Sequence, residues 1–230
     1  MHHSDVSFLN QQFFADHVTA EQIDSLLEQG WRHFGTHFFR YSYAYYGLEI
    51  RQVIPLRIRL DQFSLSKSQR RTLKKNHDLR TVIGPIDITA ESELLFERHK
   101  IRFESGVPDS IYDFLSRGRA TEPCEAMEVA VYNNDRLLAA SYFDKGTNST
   151  SGIYAMFEPG ESHRRLGIFT LLKEIEYAIE AGREFYYLGY AYEGPSFYDY
   201  KKRFRGSEAF DWTGNWKTFD VQTSIDETES

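Results

Sequence analysis

The chain has 230 residues, of which 41% are hydrophobic and 16% aromatic, and its formal net charge is -7. This composition indicates a globular protein and excludes a membrane-spanning chain, because no apolar run has the length of a span. The single cysteine, Cys124, excludes an intramolecular disulfide and any Cys-based metal or iron–sulfur site. We expect a cytoplasmic protein, since the N-terminus has no basic segment followed by an apolar run.

The first predicted elements are a helix and a group of strands. The segment "TAEQIDSLLEQG" predicts a helix, because Thr19 and Gln22 form a capping box and Gly30 suits its C-terminal stop. The aromatic and β-branched segment "HFFRYSYAYYGLEIRQVIPLRIRL" predicts two or three strands that break near Gly47 and Pro55.

The next element, "LSKSQRRTLKKN", is a basic helix at residues 65–76. Ser66 and Gln69 form a second capping box, so the helix should begin at Ser66. At about 100° per residue, five cations share one face that contains no acid: Lys67, Arg70, Arg71, Lys74 and Lys75. An anion would relieve their repulsion, and adjacent arginines suit bidentate binding of phosphate or carboxylate. The alternative is a solvated face whose charges pair with carboxylates elsewhere.

Two further helices are expected, one starting after Thr89 and one, "DSIYDFLSRG", ending at Gly118. The second half then has three strands, a long helix, a strand, a short helix and a last strand. In order, these are "AMEVAVY", "RLLAASYFD", "SGIYAMF", "RRLGIFTLLKEIEYAIEAG", "EFYYLGYAY", "SFYDYKKRF" and the segment after "EAFDWTGNW". This order predicts an α+β fold with a GNAT-like acyltransferase domain, and the first half could be a degenerate copy of it. The expected division is an N-terminal region 1–84, a GNAT-like domain 85–220 and a flexible tail 221–230.

The loop before the long helix, "ESHRRLGIF", lies where backbone N–H groups of a helix N-terminus favour anions. Arg164, Arg165 and Gly167 resemble part of the phosphate-cradling loop of acetyl-CoA-dependent enzymes. The third position of that pattern is Phe169, whose bulk would hinder a pyrophosphate. An ordinary helix start with two surface arginines is the alternative interpretation.

Three blocks of the chain carry a resemblance to a known family. They are "LLEQGWRHFGTHFFRY", "VIPLRIRLDQFSLSKSQRRTLKKNHDL" and "YYLGYAYEGPSFYDYKKRF". The last block contains a Gly-Tyr pair and, after a gap, a Tyr-Lys pair near a phenylalanine: Gly189, Tyr190, Tyr200, Lys201 and Phe204. On these blocks the chain resembles the arginyl-tRNA–protein transferases and their bacterial leucyl-tRNA–protein transferase relatives.

The resemblance implies an aminoacyltransferase that moves arginine or leucine from charged tRNA to the N-terminal α-amine of an acceptor protein with an acidic first residue. Its partners would be aminoacyl-tRNA and that acceptor, with no membrane. Family members carry cysteines that bind zinc or an iron–sulfur cluster, but Ile50 and Val53 stand about where cysteines would be. His2, His3 and His17 do not restore a site by spacing. We therefore expect no metal and no cofactor.

Two groups of candidate site residues follow from the motifs and the resemblance. The candidates for binding an acidic acceptor are Arg57, Arg59, Lys67, Arg70 and Arg71. The candidates for the tRNA 3′ end and its aminoacyl group are Arg164, Arg165, Gly167, Gly189, Tyr190, Tyr200 and Lys201. The two tyrosines could instead pack in the core, Lys201 could lie on a solvated helix end, and the basic helix could bind tRNA phosphates.

No catalytic group is assigned from the sequence. The ester of aminoacyl-tRNA is already activated, so the reaction needs placement, a neutral amine and stabilisation of the carbonyl oxyanion rather than a nucleophilic side chain. Cys124 is interpreted as a buried or incidental thiol. Three other functions stay open: an acyl-CoA N-acyltransferase, an aminoacyl-tRNA-dependent ligase with a small-molecule or peptidoglycan acceptor, and a non-catalytic binder of acidic N-termini.

Overall fold

The structure, a computed structural model, describes residues 6–103, 106–118 and 121–219. The flexible tail predicted at 221–230 lies outside these residues. In the described ranges, no helix has both the length and the apolar character needed to cross a membrane.

The described chain forms strands, helices and short 3-10 helices in a mixed order. The strands are β1 Asn10–Phe14, β2 Arg32–Phe34, β3 His37–Tyr41, β4 Tyr43–Tyr46, β5 Glu49–Arg59, β6 Arg80–Pro85, β7 Ala126–Asn133, β8 Arg136–Lys145, β9 Ser149–Phe157, β10 Phe185–Tyr192, β11 Ser207–Phe210 and β12 Trp216–Thr218. The helices are α1 Ala20–Glu28, α2 Lys67–Lys75, α3 Ala90–Lys100 and α4 Leu166–Glu180, and the 3-10 helices are Leu60–Gln62, Ile111–Asp113, Pro159–Arg164 and Phe197–Arg203.

The strands form a large sheet and a small one. The large sheet has the order β12-β11-β5-β10-β9-β8-β7-β6, with β4 also pairing with β5, and the small sheet has the order β1-β3-β2. Only β9 and β10 run parallel, and the other pairs are antiparallel. The fold is therefore mixed α/β, and β5 and β6 from the first half are strands of the same sheet as the second half. The degenerate first-half copy is not confirmed, and the boundary at residue 84 stays a prediction.

Helices α3 and α4 cover opposite faces of the large sheet. Ala130 and Tyr142 pack with α3, whereas Val129, Val131 and Phe143 pack with α4. This alternation follows from the two-residue period of a strand. The apolar positions of α4 recur at helical spacing and are buried, which stabilises the fold by about 1.5–3 kcal/mol for each fully buried large side chain. The buried apolar positions of α4 are Leu166, Phe169, Leu172, Ile175 and Ala178.

The predicted capping boxes are confirmed, since Thr19 caps α1 with Gln22 and Ser66 caps α2 with Gln69. The strand break at Gly47 is also confirmed, but the break at Pro55 is wrong, because β5 continues through it. At Pro55 only β10 flanks β5, since β4 pairs as far as Gln52 and β11 pairs from Leu56 on the other edge. A proline facing that open edge removes no ladder hydrogen bond.

The helix predicted to end at Gly118 is also wrong, because only Ile111–Asp113 forms a 3-10 turn. The Phe114 carbonyl, which a continuing helix would need, accepts the Gly35 N–H at 3.0 Å. The Phe114 ring stacks on Tyr154 with centroids 3.9 Å apart. Tertiary contacts therefore replace the helical hydrogen bonds here. Strands β1, β2, β6 and β11 were not predicted.

Candidate active site

A gap opens between the two central strands β9 and β10. They pair only where Phe185–Tyr187 lie beside Ser149–Ser151. Beyond Tyr187 the register of β10 shifts, and Gly189 takes a positive φ of 83°. The strands diverge there, so polar backbone groups that would have paired across the sheet need other partners.

Arg32 of β2 is the hydrogen-bond partner of one such backbone group. Its guanidinium donates to the Ser151 hydroxyl and to the Gly152 carbonyl. A Cβ atom on Gly189 would lie 3.5 Å from the Arg32 guanidinium carbon and 3.3 Å from Lys201 Nζ. The positive φ is what requires glycine here, because an added Cβ atom would be in ordinary contact with Arg32 and only slightly too close to the flexible end of Lys201.

Lys201 reaches the same gap from the 3-10 helix Phe197–Arg203. Its Nζ donates to the Tyr190 carbonyl at 3.0 Å. Burial, with a smaller contribution from the charge of Arg32, lowers the pKa of Lys201 to about 7. A large fraction of Lys201 is therefore neutral near neutral pH, so that it can accept a proton.

A carboxyl group and a phenol form the floor of the gap. The Tyr186 hydroxyl donates to the buried carboxyl of Glu174 on α4. A Cβ atom on Gly152 would lie 2.6 Å from the Tyr186 oxygen, so only glycine leaves room for this contact. Burial raises the pKa of Glu174 to about 8, which makes the floor largely uncharged at neutral pH.

The two candidate tyrosines lie at the edges of the same region. The Tyr190 hydroxyl donates to the Gly30 carbonyl at 2.7 Å, which joins β10 to the turn after α1. Tyr200 is half-buried against the core cluster that includes Ile175 and Leu188. The structure thus brings Gly189, Tyr190, Tyr200 and Lys201 together, in agreement with their common grouping from the sequence, while their roles stay a prediction.

Helix α2 presents the predicted cationic face. All five of its cations are exposed and, among the residues that the structure describes, form no ion pair with a carboxylate. Four of the five also donate no hydrogen bond to the described loop before α4. These four residues, Lys67, Arg70, Arg71 and Lys74, are called the α2 basic surface below. The fifth, Lys75, donates to the His163 carbonyl at 3.0 Å.

The loop before α4 is attached to α2. Asn76 Nδ2 donates to the Arg164 carbonyl at 2.9 Å, and Arg165 donates to the Ser68 hydroxyl at 2.7 Å. Arg164 binds both carboxylate oxygens of Asp78 at 3.0 Å. The two cationic motifs that are distant in sequence are therefore neighbours, although Arg164 is already occupied by a carboxylate.

The start of α4 corrects one steric argument. The Phe169 side chain is only 3% exposed and packs into the core beneath the helix. The ring therefore does not obstruct the helix N-terminus. This differs from the expectation from the loop pattern, in which its bulk would hinder a pyrophosphate. Gly167 faces Phe157, whose ring would lie 3.2 Å from an added Cβ atom. Helix α4 begins at Leu166, and its N-cap residue, Arg165, makes no side-chain cap.

The two candidate arginines of β5 are held by other residues of the chain. Buried Arg57 binds Glu208 at 2.7 Å and lies over the Phe185 ring at 3.8 Å. Arg59 binds Glu208 at 3.2 Å and Glu184 at 3.3 Å. These contacts satisfy both guanidinium groups, so they join β5 to β10 and β11 and leave little capacity for an acceptor carboxylate.

The sequence did not single out Arg32 and Glu174 as site residues. Arg32 lies in the "GWRHFG" segment that carries part of the family resemblance, and that placement was the available signal. Glu174 is a carboxyl on the apolar face of α4, between Leu171 and Ile175. An acid at a core-facing helical position is uncommon unless it is paired, and this pattern could have identified it.

The family's cysteine site is absent at the positions expected from the resemblance. Ile50 is exposed on β5 and Val53 is buried in it. Hydrocarbon side chains cannot bind a metal, so these residues do not fit the zinc or iron–sulfur group.

Sequence comparisons identify the family. The profile described as "Arginine-tRNA-protein transferase, C terminus" matches residues 91–211, and the corresponding N-terminal profile matches residues 2–71. The chain belongs to the arginine-tRNA-protein transferase family and is an aminoacyl-tRNA–protein transferase.

Two curated relatives are both called aspartate/glutamate leucyltransferase. The relative from Leptospira interrogans is 28% identical over 82% of this chain and 74% of its own length. The relative from Xanthomonas axonopodis pv. citri is 32% identical over 76% of this chain and 73% of its own length.

Solved structures show more distant similarity. FemX aligns with a TM-score of 0.47 and 12% identity over 76% of this chain and 61% of its own. L-PGS from Bacillus licheniformis aligns with a TM-score of 0.45 and 12% identity over 81% of this chain and 55% of its own.

Proposed function

We propose that this aminoacyl-tRNA–protein transferase donates leucine and that its acceptors begin with aspartate or glutamate. The names of the two curated relatives support both parts of the proposal. The observation that carries a reaction site is the gap between β9 and β10, where Arg32 and Lys201 meet beside Gly189.

The finer fold that we propose for the second half is GNAT-like. Three antiparallel strands, β7 to β9, precede α4, and the parallel strand β10 follows it and diverges from β9. This arrangement matches the element order expected from the sequence. It leaves a cleft between two strands, next to a helix N-terminus, in which an acyl group can be held.

The α2 basic surface would bind tRNA phosphates. Its four cations are exposed on one helix face instead of enclosed in a pocket, which suits a long, flexible polyanion better than one carboxylate. Because α2 contacts the loop before α4, a bound phosphate chain would approach the uncapped N-terminus of α4. That end of a helix favours anions.

Lys201 would accept the proton of the acceptor amine. The ammonium form of an α-amine has a pKa near 8, so a lysine with a pKa of about 7 can remove its proton at modest cost. The neutral nitrogen attacks the ester carbonyl carbon of aminoacyl-tRNA and forms the peptide bond. The ester C–O bond breaks, protonated Lys201 gives its proton to the departing ribose oxygen, and the nitrogen releases its remaining extra proton to solvent as the amide forms.

Arg32 would bind the acidic side chain of the acceptor. It is the guanidinium that lines the gap, and its positive charge helps to lower the pKa of Lys201. A carboxylate that binds Arg32 neutralises part of this charge, so Lys201 becomes more basic when an acidic acceptor is present. Recognition of the acceptor and activation of its amine are thereby linked.

A transfer assay tests the proposal. The purified chain is given tRNA charged with labelled leucine or arginine, and peptides that differ only in an N-terminal Asp, Asn, Glu or Gln. We expect leucyl-tRNA to label the Asp and Glu peptides. The uncharged Asn and Gln isosteres should give at least about tenfold less product, because the partly buried Arg32 guanidinium would lose its charged partner. Equal labelling of Asn and Asp peptides would remove the role of Arg32, and labelling by arginine alone would remove leucine as donor.

A further inference from the structure

Three buried side chains from separate parts of the chain meet on the other side of β2 from Arg32. They are His33, Cys124 and Asp144, which are 3%, 2% and 1% exposed. One ligand atom from each lies within 4.8 Å of the other two. His33 Nε2 is 2.9 Å from Asp144 Oδ2, and Cys124 Sγ is 3.3 Å from Asp144 Oδ1 and 3.8 Å from His33 Nε2.

The His33 ring is fixed in orientation by its other nitrogen. Nδ1 lies 2.8 Å from the Gly35 carbonyl, which can only accept, so Nδ1 carries a hydrogen. In the neutral ring, Nε2 then directs a lone pair at the Asp144 carboxylate. Two electron-rich groups this close require a positive centre between them, which is either a proton, on Nε2 or on the carboxyl oxygen, or a metal ion.

We propose that His33 Nε2, Cys124 Sγ and the Asp144 carboxylate bind one Zn²⁺ ion. Nitrogen, thiolate sulfur and carboxylate oxygen are the ligand atoms that zinc accepts. The hydrogen bond from Nδ1 to a backbone carbonyl is the usual second contact of a metal-binding histidine. Thiolate and carboxylate together balance the charge of the ion, and the thiol proton and the proton shared by His33 and Asp144 leave for solvent when it binds.

The geometry requires little movement. Ligand atoms at about 2.0–2.3 Å from a tetrahedral zinc lie roughly 3.3–3.6 Å apart. The distances from His33 Nε2, 2.9 Å to Asp144 Oδ2 and 3.8 Å to Cys124 Sγ, differ from this by a few tenths of an ångström. Cys124 Sγ lies 3.3 Å from the other carboxylate oxygen, Oδ1, so a rotation of the carboxylate would place one oxygen close to both partners. All three residues also line a cavity of about 250 Å³, which leaves room for water as a fourth ligand.

The site differs from the family's cysteine site and departs from the expectation of a metal-free fold. That expectation was based on the absence of paired cysteines, whereas this ligand set combines one cysteine with residues 91 and 20 positions away. The ion would join β2 to β8 and to the segment before β7. Because Arg32 precedes His33, zinc would also fix the strand from which Arg32 enters the gap.

Metal content and cobalt spectroscopy test the proposal on the full chain without an affinity tag. We expect one zinc per chain after expression with Zn²⁺, and the Co²⁺ form should show thiolate-to-cobalt charge-transfer absorption. This band needs no variant for its assignment, because Cys124 is the only cysteine. Cys124→Ala should lose the band and the zinc, and the chain should melt at lower temperature after chelation.

A buried histidine outside the cluster provides the matched control. His99 is also 2% exposed and its Nδ1 also contacts a backbone carbonyl, that of Phe157, at 3.0 Å. His99→Gln should keep the zinc, whereas His33→Gln should lose it. A wild-type cobalt form without the band, or equal zinc in wild type and Cys124→Ala, overturns the proposal. The three side chains would then form only a hydrogen-bonded cluster.

Discussion

The cations of the interior and those of the α2 basic surface are the same residue types in opposite environments. Arg32, Arg57 and Lys201 are held by named partners inside the fold, and burial changes the proton affinity of Lys201. The cations of α2 face solvent and have no carboxylate partner among the described residues. An interior cation therefore acts through one fixed geometry, whereas a surface cation acts through a field that salt screens.

The largest effect should come from Lys201→Met. It removes the proton acceptor from the gap, so kcat/KM for peptide aminoacylation should fall by about 10²–10⁴. Stability should change little or rise, since no buried amine remains to be desolvated. Lys202→Met is the control, because Lys202 pairs with Asp199 at 2.8 Å and does not reach the gap. Equal loss in both variants would contradict the assignment.

The pH profile of activity tests the same assignment of Lys201. A base must be unprotonated, and the pKa of Lys201 is about 7, so wild-type kcat/KM should rise with pH through about 7. The Lys201→Met profile should lose this ionisation and keep only that of the acceptor amine, whose pKa is about 8. An unchanged profile in the variant would exclude Lys201 as the base.

Arg57→Ala should be the most destabilising of the arginine substitutions. It removes the closer of the two arginines that bind the largely buried Glu208 and leaves only Arg59 at 3.2 Å, so it should cost about 1.5–3 kcal/mol. The free energy of unfolding in urea measures this loss. In Arg57→Met/Glu208→Met both charges of the closer pair are gone and Arg59 keeps Glu184 as a partner, so much of the stability should return. A stable Arg57→Ala protein with poor binding of acidic peptides would instead restore the acceptor role of this arginine.

Arg70→Gln/Arg71→Gln, in contrast to Arg57→Ala, should weaken tRNA binding and leave stability nearly unchanged. Stability should stay within about 0.5 kcal/mol, because both side chains are exposed. Affinity for tRNA should fall roughly tenfold at moderate salt, and the salt slope should decrease by about 0.7–0.9 for each lost phosphate contact. Arg136→Gln/Lys217→Gln removes the same charge from exposed sites elsewhere. If that control weakens tRNA binding equally, α2 has no specific role.

The smallest effect should come from Ser66→Ala. The Ser66 hydroxyl accepts the Gln69 N–H at 3.2 Å, and loss of such a cap costs about 1 kcal/mol. Thermal unfolding measures the loss, and Ser66→Asp should recover it because aspartate also caps helices. A decrease in tRNA affinity larger than that of the arginine pair would mean that the helix start, and not its charges, contacts the tRNA.

Local patterns account for what was correctly predicted. The Ser66–Gln69 capping box and the spacing of the α2 cations lie within a few residues, so the sequence contains all of the information they need. The wrong helix end near Gly118 has the opposite cause, because the Phe114 carbonyl bonds to Gly35, far away in the chain. Propensity within a short segment cannot anticipate such a partner.

The candidate site shows the same limit. Gly189, Tyr190, Tyr200 and Lys201 could be grouped because the resemblance placed them in one block of sequence. Arg32 joins them only after β2 has been placed beside β9, and its bonds to Ser151 and Gly152 span 119 and 120 positions. The charge of an arginine is visible in the sequence, but its partner is not.

The sequence by itself determined the family, the caps of α1 and α2 and the cationic face of α2, because motifs and helical periods are local. Only the tertiary structure decided which cations remain available to bind a ligand and which are paired within the chain. It places Glu208, 151 positions along the chain, against Arg57, and Asp144, 111 positions along, against His33. Such contacts form when hydrophobic packing brings distant strands together, within one sheet for Arg57 and Glu208 and between the two sheets for His33 and Asp144. Sequence spacing carries no measure of that proximity.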